Sequence, residues 1–133
     1  MLGELESDGG IVICDLEAGV GTILRMEADQ ADVVLVVADP SAKSIEVARR
    51  AAEIASQHAR VIVLANRLRD EADLEAVRSV LGGHEIVAVP DDPAIARADQ
   101  DGTAPIDVDP DSPGVRALVG LAERLAGERP SAS

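Results

Sequence analysis

Four short runs rich in β-branched residues stand out along the chain: Ile11–Cys14, Val33–Ala38, Arg60–Ala65 and Ile86–Val89. The middle two are apolar at successive positions instead of alternating. This predicts strands buried on both faces, as in the centre of a parallel sheet. Helical periodicity fills the later intervals. Ser44 is placed to cap a helix through about Gln57, with Ile45, Ala48, Ala52 and Ala55 on one stripe and Glu46 and Arg50 paired outside it. Asp70 is placed to cap a second helix, with Leu74, Val77 and Leu81 inward and Gly82-Gly83 as its stop. Pro93 to about Asp99 predicts a short third helix. Ser112-Pro113 starts a last one, with an apolar stripe of Val115, Leu118, Val119, Ala122 and Leu125 ending at Gly127. Strand alternating with helix predicts an α/β fold, a parallel sheet of about four strands joined by right-handed crossovers, with helices on both faces. Residues 1–127 read as a single domain and residues 128–133 as a flexible tail.

Composition sharpens this picture. The chain has 133 residues, and 47% of them are hydrophobic, yet it has no Phe, Tyr or Trp. One core built from Val, Ile, Leu and Ala is the expectation. Nucleic-acid readers that stack bases on aromatic rings are excluded. The formal charge of −13 works against binding phosphate backbones or anionic membranes, so neither nucleic acid nor membrane is expected as a direct partner. Acid is densest from Asp91 to Asp111, where seven Asp face only Arg97. The single cysteine, Cys14, excludes an internal disulfide and zinc motifs built on paired thiolates, and its apolar run suggests a buried, inert thiol. No apolar stretch approaches the ~20 residues that span a bilayer, and MLGELESDGG does not read as a signal peptide, which predicts a cytoplasmic chain.

Ligands of open parallel sheets bind beyond the carboxyl ends of the strands, so the residues following each run are the candidates. They are Asp15-Leu16-Glu17-Ala18-Gly19, Asp39-Pro40-Ser41, Asn66-Arg67 and Pro90-Asp91-Asp92. Polar residues at four strand ends in a row suggest one rim. Each has a structural reading too. Asp15 could cap a turn, Asn66 could be a turn residue, and Pro90-Asp91-Asp92-Pro93 reads first as a loop and helix start. Gly19 and Gly21 read as turn glycines, and Arg25 as a surface charge. His58 and His84 have no ligand partners at useful spacing.

Taken together, IVICDLEAG, ADVVLVVADPSAKSIEVARR, VIVLANRLR and EIVAVPDDPAI resemble the second half of the ParA/MinD-type P-loop ATPases, in order and in spacing, from about Ile11 to Leu125. Within that superfamily they look most like the CooC branch, the carbon monoxide dehydrogenase accessory ATPases of nickel insertion. The resemblance implies a truncated P-loop NTPase-like (Rossmann-like) sheet and ligands of ATP or ADP with Mg²⁺. It implies that Asp15 is the Walker B aspartate ordering the water shell of Mg²⁺. Gly19 would be the switch glycine near the γ-phosphate, Asn66 the amide that hydrogen-bonds adenine, and Pro90 and Asp91 the loop over the base. Asp39-Pro40 matches the acidic-Pro pair, and Ser44 the start of the following helix. The chemistry suits these roles: Mg²⁺ takes hard oxygen ligands or waters held by carboxylates, and an amide offers a donor and an acceptor together.

These 133 residues contain no G-x-x-x-x-G-K-[ST], and Lys43, the only lysine, has no glycine-rich loop before it. No nest of backbone N–H groups or P-loop lysine is therefore supplied for the phosphates. The expectation is nucleotide binding and hydrolysis only with a P-loop from elsewhere, and no turnover by the chain alone. The family's layout places the P-loop strand between Ile11–Cys14 and Val33–Ala38. Loss of that strand predicts poor solubility, or pairing as a homodimer or with a chain that supplies the P-loop half. The Cys pair of some CooC relatives is absent. Two other readings remain open: a non-catalytic regulatory or dimerisation module on the same scaffold, and, with less support, a phospho-receiver with Asp39 as acceptor. The latter lacks the acidic pair after its first strand and the lysine after its last.

Overall fold

The computed structural model describes residues 32–128. Three strands, β1 (Val33–Ala38), β2 (Arg60–Leu68) and β3 (Glu85–Pro90), form a parallel sheet in the order β1-β2-β3. The connections are α1 (Ala42–Ala55) and α2 (Glu71–Leu81). After β3 come α3 (Pro93–Asp101), α4 (Pro105–Val108) and α5 (Pro113–Glu128). The α/β class, the parallel sheet and the helices on both faces are as the sequence implies. The predicted strand Ile11–Cys14 lies outside the described residues.

Two clusters divide the core by sheet face. On one, Val34, Val36, Ala38, Val61, Val63, Ala65 and Leu68 pack with Ile45, Ala48, Ala52 and Ala55 of α1 and with Val77 and Leu81 of α2. On the other, Ile62, Leu64 and Val89 meet Leu121 of α5, flanked by Ala117 and Leu125. β2 is thus covered on both faces, which explains its unbroken apolar run. β1 departs from the prediction. Its side chains alternate, and Leu35 and Val37 remain 42% and 58% exposed. Among the described residues the reason is position: α5 packs over β3 and the centre of the sheet, and on this face of β1 its cluster takes in Val33 but not Leu35 or Val37.

Local chemistry sets the element ends, with some corrections. The N-cap of α1 is Ser41, whose side chain accepts from the Ser44 N–H. Ser44 is three residues inside, and its hydroxyl accepts from the Asp39 N–H at 2.9 Å. Glu46 pairs with Arg49, not Arg50, because the bidentate geometry is reached at i,i+3 (2.8 and 3.0 Å). Asp70 caps α2 as predicted, accepting from the Asp73 N–H. The stripe of α5 is centred on Gly114, Val115 and Leu121; Leu118 and Ala122 face outward, and the helix continues through Gly127 to Glu128. The single turn α4 carried no periodicity to predict it. At the opposite end of the sheet from the loops of interest, Arg60 bonds Glu85 and Glu128, and Arg124 pairs with the same two carboxylates. This network ties the starts of β2 and β3 to the end of α5.

Candidate functional site

Parallel pairing brings all three strand carboxyl ends to one edge. The register Ala38↔Ala65 sets Asp39 level with Asn66, and Leu68↔Pro90 sets the last residue of β3 beside the end of β2. Asn66 and Pro90 are half-buried, and Asp91 is exposed. The Asp91 N–H donates to the Leu68 carbonyl at 2.8 Å, which fixes the start of the β3–α3 loop against β2. The structure therefore gathers Asp39, Asn66, Pro90 and Asp91 on one rim. Asp15 and Gly19 lie outside the described residues, so nothing here locates them relative to it.

The end of β2 is irregular. Between Ala65 and Leu68 the register with β3 shifts: three steps on β2 match two on β3, Ala88 to Pro90. Arg67 absorbs the extra residue with φ 58°, and among the described residues it alone, glycines aside, has a positive φ. In a regular strand Ala65 and Leu68, an odd number apart, would face opposite sides. Here both are in the α1/α2 cluster. The bulge thus turns Leu68 back into the core and re-aims Asn66-Arg67 at the rim. The Arg67 side chain is 68% exposed, with Nε 4.0 Å from Asp91 Oδ1. From the sequence, Arg67 is placed on the rim beside Asn66 but given no role. The signal that could have found it was the parity break in Ala65-Asn66-Arg67-Leu68, two apolar residues an odd distance apart at a strand end.

Asp92 has a structural task. Its carboxylate accepts from the Ala94 N–H (3.0 Å), capping α3, and from the Gly114 N–H (2.8 Å), holding the start of α5. The nearby Ser112 hydroxyl, then the Gly114 and Ala94 N–H groups and the Arg97 charge, hold this carboxyl below the ordinary aspartate range. A Cβ on Gly114 would meet Ile95 Cδ1 at 2.7 Å and Asp92 Cβ at 3.0 Å, so a side chain here would require Ile95 to shift and Asp92 to give way. Asp73 is likewise held low, by the Arg69 side chain first and then the Arg69 N–H, and it anchors the turn from β2 into α2.

Two cavities, about 390 and 280 Å³, lie along α2 and the outer side of β3. They are lined by Leu74 and Ala88 with Arg78 and His84 in one and Arg69 and Pro90 in the other. Neither includes Asn66 or Asp91. Among the described residues no group of three or more His, Cys, Asp or Glu is placed to hold a metal ion. No helix among them is long and apolar enough to cross a membrane.

This arrangement, a parallel α/β sheet with its polar loops at the carboxyl edge, has solved counterparts. A chain of the MinC:MinD cell division protein complex of Aquifex aeolicus superposes with a TM-score of 0.58 at 28% identity, covering 78% of this chain and 46% of that one. The MinD cell division protein of the same organism gives 0.54 at 25% identity, covering 78% and 48%. In sequence, an uncharacterized ATP-binding protein of Methanocaldococcus jannaschii is 30% identical over 124 residues, 90% of this chain and 47% of that protein. No protein-family model matches. The fold is that of the MinD-like P-loop NTPases, and the likenesses support a relationship to the MinD/ParA-type ATPases. The chain spans about half the length of the relatives it matches.

Proposed function

We propose that this chain forms the adenine-reading side of a MinD/ParA-type nucleotide site. The observation that carries the reading is the convergence of Asn66, Pro90 and Asp91 on one strand-end rim, in a fold shared with MinD and in a chain similar to an ATP-binding protein. Asn66 reads the adenine edge through its amide donor and acceptor, and Pro90-Asp91 bound the ring from the β3 loop. The described residues suit a purine. They do not by themselves suit Mg²⁺ or a triphosphate, since no carboxylate cluster or glycine-rich cradle is among them. Asp15, read as Walker B, is the residue that would order the waters of Mg²⁺, and Gly19 the switch glycine. Hydrolysis needs a P-loop that these 133 residues do not contain. The CooC-like placement, a P-loop-bearing partner or second copy, and a cytoplasmic setting belong to the same proposal.

Equilibrium binding of ADP to the chain tests it. Binding that weakens about tenfold or more in Asn66→Ala, the scale of one lost recognition contact in a desolvated setting, supports the reading. No binding to any adenine nucleotide overturns it and leaves the non-catalytic module on the same scaffold.

A further inference from the structure

Among the described residues β3 has a strand on one side only. It pairs with β2, and no backbone group of Ile86–Val89 has a partner on its other side. An edge of this kind is a template for a further strand unless charge, proline or a bulge blocks it. In β3 such blocks stand only at the ends: Glu85 opens the strand and Pro90 closes it, with Ile86, Val87, Ala88 and Val89 between them.

The two cavities beside β3 fit that template. Val77 and Leu81 seat α2 in the cluster over β1 and β2, and Ala88 is too small to fill the space left beside Leu74. The strand residues that line one cavity are Ile86 and Ala88, and those that line the other are Ala88 and Pro90. The cavities are thus offset by two residues along β3, about 7 Å. Alternate side chains of a strand added to β3 would fall on one face at that same step. The charges around the cavities restrict the occupant. Asp70 and Glu71 line the second cavity, while Arg78, which lines the first, stands 3.8 Å from Glu71 and 3.7 Å from Glu75. Arg69 is engaged by Asp73. These cations are matched by carboxylates of the same chain, so the formal charge of −13 favours a basic segment over an acidic one. We propose that the β3 edge binds an extended, basic segment of a partner protein by strand addition, with main-chain hydrogen bonds to β3 and two alternate apolar side chains in the two cavities.

The test uses the full chain and a blocked peptide with Val at two alternate positions, Thr between and beside them, and Lys at both ends, followed by backbone NMR. Two further forms of the peptide are N-methylated on alternate amides, one form for each edge of the extended chain. The unmodified peptide is expected to shift Leu74, Ile86 and Ala88. One methylated form is expected to lose binding and the other to keep it, because only one edge can face β3. Ala88→Leu fills both cavities from an exposed position; it is expected to weaken the peptide about tenfold or more and to keep or raise the Tm. Raising salt from ~0.05 M to ~0.5 M is expected to weaken binding as well. No binding, equal binding of the two methylated forms, unchanged affinity in a folded Ala88→Leu, or tighter binding of a peptide with Glu in place of Lys overturns the proposal. If Ala88→Leu does not fold, the methylated pair still decides. A wild type that sediments as a dimer, with Ala88→Leu a monomer, identifies a second copy as the occupant and overturns the partner segment.

Discussion

At the scale of single residues, the acidic strand-end loop divides its labour between neighbours. Asp91 is exposed and faces Arg67, whereas Asp92 is buried and caps two helices at once. Asp92→Ala should therefore lower the unfolding midpoint by about 5 °C or more, as expected when a cap and a buried acceptor are lost together. Asp91→Ala should leave it nearly unchanged; thermal unfolding of both variants checks this. Gly114→Ala should also destabilise, by about 1–3 kcal/mol, because the new methyl group meets Ile95 and Asp92. The depressed carboxyls of Asp73 and Asp92 make stability depend on acid in a definite direction. Each has a folded pKa below its unfolded value, so the unfolded chain binds more protons between the two. The contribution is fully present above about pH 4, the unfolded value, and is lost as pH falls through the folded pKa. Denaturant titrations from pH 6 down to pH 3 should show the midpoint falling, less steeply in Asp73→Asn.

At the scale of elements, what was legible followed from periodicity and caps. Asp70, Gly82-Gly83 and the stripe of Ile45, Ala48, Ala52 and Ala55 are local signals, and the structure has them in those roles. What was illegible depends on tertiary placement. The run Val33–Ala38 looks as apolar as β2, but among the described residues the position of α5 leaves Leu35 and Val37 outside its cluster. The same placement accounts for Leu118, apolar in sequence yet 43% exposed. The bulge at Arg67 was hidden because a non-glycine residue occupies a conformation that sequence rules assign to glycine. The energetic consequence is directly measurable. Ile62→Ala removes a fully buried side chain from the doubly covered strand and should cost about 2–5 kcal/mol in chemical denaturation. Leu35→Ala, on the open face of β1, should cost under about 1 kcal/mol.

At the scale of the whole molecule, the described residues form a sheet with a well-packed centre and an open apolar face at β1. With a formal charge of −13, long-range repulsion opposes self-association at low salt. The exposed Val and Leu surface favours it once that charge is screened. Analytical ultracentrifugation should accordingly show more association at ~0.5 M salt than at ~0.05 M salt, and Val37→Lys should reduce it; a stable monomer under both conditions would count against a role for this face in pairing. The shared rim was legible in outline because parallel pairing fixes which residues lie at one edge, and Asn66 and Asp91 both follow strand ends on that edge. Its Asp15 arm falls outside the described residues. The most direct test of the account is a backbone NMR map of the chain titrated with adenosine. The account predicts shifts centred on Asn66, Arg67, Pro90 and Asp91; shifts centred instead on the α2 and β3 cavity at Leu74, Arg78 and His84, or none at all, would contradict it.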